Sequence, residues 1–245
     1  MSVRQRIDQQ PGFVLHSYPY RETSLIVEVF SRDHGRIGLV AKGARRPMSQ
    51  LRGVLMAFQP LLIDWSGGGE MKTLVRAEWQ GGQPLLGGQA LLCAYYLNEL
   101  LLRLMPREDA HPALYQAYGE ALRALAVGEP QEVVLRRFEL ALLRELGYGL
   151  ELESDSDGLP VRPEEHYAYI IECGAVHLDE HRIDDPIGVR GKTLIDMAHQ
   201  DFRDPETLAQ SKALMRRLIQ HYLGGQVLQS RRVFTELFAY PGDPS

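Results

Sequence analysis

Between Phe13 and Gln80 the apolar residues come in short β-branched runs separated by turn-forming residues, a pattern that predicts strands rather than helices. Five runs stand out: Phe13–Ser17, Ser24–Ser31, Arg36–Lys42, a long stretch from Val54 to Trp65, and Met71–Trp79. The breaks between them are Tyr18-Pro19-Tyr20-Arg21-Glu22, Arg32-Asp33-His34-Gly35, Gly43-Ala44-Arg45-Arg46-Pro47 and Ser66-Gly67-Gly68-Gly69, each carrying Gly, Pro or Asp. Within the second run Leu25, Val27 and Val29 share one face, and Ile26, Glu28 and Phe30 share the other. Trp65 and Trp79 read as core residues.

After Gly81-Gly82-Gln83-Pro84 the period changes. Gln89–Met105 is apolar on nearly every side, which predicts a buried helix. His111-Pro112 opens a second helix, with Pro where a missing N–H costs nothing. Gln131–Leu146 is a third, closed by Gly147. Asp204-Pro205-Glu206 starts a further helix that Gly224-Gly225 ends, and Ser230–Phe238 reads as a short last one. Glu151–Asp185 breaks the helical period and predicts extended pieces at Tyr167–Cys173 and Ala175–Leu178 joined at Gly174. The expected fold is therefore α+β and multidomain: a five-stranded barrel over residues 1–80, then a helical bundle over 84–245 with a small β insertion at 151–185. An OB-fold is the leading five-strand barrel, with an SH3-like barrel as runner-up.

Charge sharpens this division. The chain has 245 residues and a net charge of −5, yet its first eighty residues hold eleven Lys and Arg against seven Asp and Glu, and the rest hold sixteen against twenty-five. Between His34 and Ile63 lie Arg36, Lys42, Arg45, Arg46 and Arg52 and no acid. A basic stripe on an acidic chain points to a polyanion met by one domain; the competing interpretation is a solvated loop whose charges serve solubility. No export signal or membrane span is legible, and two cysteines, Cys93 and Cys173, give no disulfide framework. The expected setting is a reducing cytosol.

Val14-Leu15-His16-Ser17, Tyr20-Arg21-Glu22-Thr23-Ser24-Leu25, the segment from His34-Gly35-Arg36 through Lys42-Gly43-Ala44-Arg45, and Gly69-Glu70-Met71-Lys72-Thr73-Leu74 resemble RecO, a bacterial family of recombination and repair mediators. The resemblance continues through Tyr96-Leu97-Asn98-Glu99-Leu100-Leu101, Leu135-Arg136-Arg137-Phe138-Glu139-Leu140-Ala141-Leu142-Leu143, Leu146-Gly147-Tyr148-Gly149 and Tyr222-Leu223-Gly224-Gly225, covering most of the chain in order. It implies an N-terminal OB-fold, a helical C-terminal domain, no catalytic activity and no cofactor. It further implies binding of single- and double-stranded DNA, strand annealing, cooperation with RecR in loading RecA, recognition of the acidic tail of single-strand binding protein (SSB), and a cytoplasmic, nucleoid-associated location.

On such a barrel the candidate phosphate ligands are Arg21, Arg36, Lys42, Arg45, Arg46, Arg52, Lys72 and Arg76, with the Gly43–Gly53 loop, Arg21 and Lys72 bordering one side. The densest charge lies off the groove that OB-folds usually use. Tyr18 and Tyr20 are candidates for base stacking, as is Phe30, whose alternative place is the barrel core. Arg136 and Arg137 share a helix with Leu140 and Leu143 at spacings that suit a carboxylate and an apolar side chain together. The resemblance places SSB-tail binding on Arg136 first; solvated arginines are the alternative. Three other signals lead nowhere firm. Gly191-Lys192-Thr193 lacks the earlier glycine of a P-loop, because Pro186 stands there. His177-Leu178-Asp179-Glu180-His181 matches a zinc-peptidase string, but His177 falls on an extended segment; a hydrolase using His177, Glu180 and His181 is the enzyme alternative, and an OB-fold RNA-binding module the milder one. Some RecO relatives carry a four-cysteine zinc module near Glu151–Asp185. Here only Cys173 is present, with His166, His177 and His181 as conceivable companions.

Overall fold

A computed structural model of the chain describes residues 6–178 and 187–238. Five strands, β1 (Arg6–Tyr20), β2 (Ser24–Ser31), β3 (Gly35–Ala41), β4 (Pro60–Ser66) and β5 (Met71–Trp79), close into a barrel in the order β1-β2-β3-β5-β4. Every neighbouring pair is antiparallel except β3 and β5, whose parallel register runs from Gly38 opposite Met71 to Val40 opposite Thr73. The alternation in β2 holds: Val27 and Val29 are buried in the barrel core with Ile37, Leu39, Ile63 and Trp65. The opposite face is covered as well. Phe30 lies outside the barrel interior, with its ring 5.5 Å from that of Tyr115 and 6.1 Å from that of Tyr118.

The strand bounds depart from the sequence reading where two patterns run together. β1 begins at Arg6, because Ile7 pairs with Trp65 and Gln10 with Ile63. The long run from Val54 is two elements: α1 (Leu51–Val54) turns Leu51, Val54 and neighbouring Leu55 onto the barrel core before β4 begins at Pro60.

Packing divides the chain into two compact units, one comprising the chain up to Gly128 and from Leu228, the other Glu129–Val227. In the first unit the barrel is joined by α2 (Gly88–Leu104), α3 (Pro112–Ala126) and α7 (Gln229–Phe238). Asn98 ties this layer together: its amide donates to the Leu15 carbonyl at 2.8 Å, and its carbonyl oxygen accepts from the fully buried Tyr118 hydroxyl at 2.5 Å. Buried polar groups are tolerated when they are paired in this way. Burial also raises the Cys93 thiol to about 11, leaving it a packing residue.

In the second unit α4 (Gln131–Glu145), α5 (Gly191–Ala198) and α6 (Pro205–Tyr222) surround an antiparallel sheet in the order β7-β6-β8. The strands are β6 (His166–Ile170), β7 (Gly174–His177) and β8 (Ile187–Arg190). The first two correspond to the predicted extended pieces, with the turn at Ile171–Cys173 rather than at Gly174; β8 lies beyond the predicted insertion. Tyr167, Tyr169, Leu194, Met197, Leu214, Met215 and Leu218 form the core with Leu143.

Candidate nucleic-acid interface

The basic loop after β3 is a built structure. Ala44, its one small apolar residue, is 1% exposed and joins the barrel core, which turns Arg45 and Arg46 outward. The Arg45 amide donates to the Thr23 carbonyl at 2.9 Å and its guanidinium to the Arg21 carbonyl at 3.2 Å, so the loop is fastened to the β1–β2 turn. Successive turns then carry the chain to α1: the amides of Arg46, Ser49 and Arg52 donate to the carbonyls of Gly43, Arg46 and Ser49. Gly43, at φ +70°, holds the left-handed conformation that starts this series, and the Arg46 side chain lies over it.

The β1–β2 turn, the loop fastened to it and α1 carry Arg21, Lys42, Arg45, Arg46 and Arg52. All five are exposed, and none forms an ion pair with a described carboxylate. Arg21 stands over the Tyr20 ring, 5.1 Å from its centroid. Tyr18 is exposed and packs edge-on against His16, and Tyr20 is half-buried. Free cations beside reachable aromatic rings suit a sugar-phosphate chain with accessible bases.

The other three predicted ligands are already engaged. Arg36 is 16% exposed, donates to the Met105 carbonyl at 3.1 Å and lies 3.6 Å from the buried Glu28 carboxylate. Burial, then repulsion from Arg107, pulls its pKa down while Glu28 opposes them. Lys72 is held by Glu108 and the Gly69 carbonyl, with 11% of its side chain exposed. Arg76 pairs with Glu78 one turn of the pleat away. Sequence order alone joined these residues to the loop; their acids come from β2, β5 and the segment after α2. Arg107, which completes the Glu28 pair, was missed because nothing local marks it. Trp79 also differs from expectation: it is 58% exposed, and its indole donates to Gln59 at 3.0 Å. It is the last residue of β5, beyond the reach of the barrel interior.

Comparison with known proteins fits this layout. Residues 5–82 match the family model described as Recombination protein O N terminal, and residues 87–232 match Recombination protein O C terminal. The chain belongs to the RecO family. Similar relatives, each named DNA repair protein RecO, come from Aromatoleum aromaticum (70% identical), Azoarcus sp. (67%) and Dechloromonas aromatica (56%). In each case the alignment covers 97% of this chain and 99% of the relative. It is thus a RecO-family DNA repair protein, and no described helix is long and apolar enough to cross a membrane.

The second predicted surface of this RecO chain looks different in place. Arg136 is 7% exposed and donates to Glu139, itself 1% exposed, one turn along α4. Leu143 is fully buried in the core of its unit and Leu140 packs against the same core. Only Arg137 stays open, 47% exposed and 3.8 Å from Glu129. The Arg-Arg pair is therefore split: one member is buried against Glu139 and the other faces water. A correction follows for Leu143, which cannot receive a partner's side chain without leaving the core.

The remaining strings are structural where described. Gly191 approaches the Arg162 carbonyl so closely that a Cβ there would sit 1.9 Å away, and Lys192 is paired with Asp196 and Asp204. His177 lies on β7, and its ring is 3.0 Å from Glu165. Glu180 and His181 lie outside the described residues. Among the described residues no three His, Cys, Asp or Glu side chains converge as a metal site, His166 and Cys173 included.

Proposed function

We propose that this protein is a non-enzymatic mediator that binds single- and double-stranded DNA through the barrel end carrying Arg21, Lys42, Arg45, Arg46 and Arg52. On this reading it anneals complementary strands and, with RecR, helps RecA load onto DNA covered by SSB, acting in the cytoplasm at the nucleoid. One observation supports it above the rest: in a chain of net charge −5, five exposed cations without described carboxylate partners stand on the β1–β2 turn, the loop bonded to it and α1. Like charges are held together at a cost that a polyanion relieves. Cations on a turn and a loop grip backbone without enclosing bases, so two strands bound side by side have their phosphate repulsion lowered while their bases remain free to pair.

The acidic SSB tail is assigned to α4. Its carboxylates meet Arg137 in the open, and Arg136 joins when released from Glu139. Fluorescence annealing of complementary strands, with and without SSB and at two salt concentrations, tests the central claim. The expected result is acceleration on bare and SSB-covered strands that weakens as salt rises. Annealing at the spontaneous rate, or acceleration indifferent to salt, would overturn it, and RNA strands competing as well as DNA would reassign the cluster to RNA.

A further inference from the structure

Along the basic loop, between Arg46 and Arg52, stands an apolar side chain exposed to water. Met48 is 94% exposed, the most exposed of the large apolar residues described. It lies between Arg46 and Arg52 in the series of turns closed by the Arg46, Ser49 and Arg52 amides, and follows Pro47, whose φ is fixed. Ala44 in the core and the Arg45–Thr23 bond anchor the start of the same series. The loop thus presents Met48 from an anchored, hydrogen-bonded frame.

We propose that Met48 is an apolar wedge that contacts nucleobases while its neighbouring cations hold the flanking phosphates. This deepens the DNA-binding reading above and rests on it. The chemistry of the position selects the target. Phosphates drawn to Arg45, Arg46 and Arg52 bring the bases attached to them within reach of whatever stands between those cations, and here that is a flexible thioether. Methionine sulfur is polarisable and makes favourable contacts with aromatic faces. Methionine is among the residues that architectural proteins insert between base steps, partly unstacking them. Lys, Ser or Asn at the tip would add a further phosphate contact. Met adds none, so its gain comes only from leaving water against an apolar surface, and on a nucleic acid that surface is the bases. Bases loosened from their neighbours in this way are presented for new pairing, which is what annealing requires.

The test uses the full-length protein with single strands and duplexes carrying one 2-aminopurine, whose emission rises when it is unstacked, while fluorescence anisotropy reports binding on the same samples. Wild-type protein at saturation should raise the emission. Met48→Ser should lower that rise by about twofold or more while leaving the slope of log K against log salt unchanged, because no phosphate contact is removed. Met48→Leu should restore the rise. Folding is not at stake, since the side chain is exposed to water. Binding accompanied by the same emission rise in Met48→Ser, or by no rise in the wild type, would overturn the wedge and leave the DNA-binding cluster standing. Absence of any anisotropy change would overturn both.

Discussion

Arg36 is the second residue of β3 and Arg45 lies in the loop after it, and the two side chains meet opposite circumstances. Arg36 is enclosed with Glu28 and Arg107, whereas the exposed Arg45 guanidinium donates to the Arg21 carbonyl and meets no described carboxylate. A guanidinium already satisfied by a carboxylate releases few counterions from DNA, so the two predict different salt behaviour. Replacing Arg45 and Arg46 together by Ala should flatten the slope of log K against log salt by about 1–2 units, at about 0.7 per contact for single strands and 0.9 for duplex. Lys72→Ala should change that slope by less than about 0.5, since its ammonium is neutralised by Glu108. An equal effect from both substitutions would show that the ion pairs yield to DNA. Glu28→Ala carries a different expectation, a loss of about 3 kcal/mol in urea unfolding, because it strands Arg36 in a largely buried position. Little of this sorting was legible in the sequence. The basic stripe showed which residues are cationic; which ones remain free depended on Glu28, brought near by strand pairing, and on Arg107 and Glu108, from the segment after α2 that bonds to Arg36.

At the level of elements, the sequence was most legible where one period ran alone. Ser24–Ser31 and Met71–Trp79 appear as strands with the bounds read from alternation, and Pro112 and Gly147 mark helix ends for their expected reasons. Legibility failed where periods abut. Leu51, Val54 and Leu55 follow helical spacing, and the residues after them follow strand spacing, so the join reads as one long apolar run. It failed also where pairing is distant: Arg6–Gln10 is polar enough to pass for a loop until β4 lies beside it, and β8 is a short strand whose only warrant is β6. The α6 start is a clear local signal and gives a clear test. The Asp204 carboxylate accepts from the Glu206 amide at 2.9 Å, so Asp204→Ala should cost about 1 kcal/mol in thermal or urea unfolding.

Across the whole molecule the C-terminal helix returns to the first unit. Glu99 of α2 receives the amides of Gln229 and Ser230 at 2.9 and 2.8 Å and the Ser230 hydroxyl at 2.7 Å, capping α7 from outside its own sequence. Burial acts to raise the Glu99 pKa, but the bonds from Ser230 and Gln229 and the charge of Arg103 outweigh it and leave the group below its ordinary 4.5. A lowered folded pKa means that this contribution to stability is present above the unfolded value and is lost as the pH falls through the folded one. Glu99→Gln should mimic that loss at neutral pH, speeding amide exchange at Gln229–Arg232 roughly fivefold if the cap contributes about 1 kcal/mol. Unchanged exchange would remove Glu99 from the docking of α7.

That return of α7 has a temporal side. The chain leaves the ribosome in order, so the second unit is synthesised between the two parts of the first, and α2 must wait for its partner helix. At a synthesis rate of roughly 10 residues per second the delay is on the order of 10 s, far longer than helix formation or collapse takes. During that interval the nascent barrel carries an α2 flank, Glu99 included, that α7 does not yet cover.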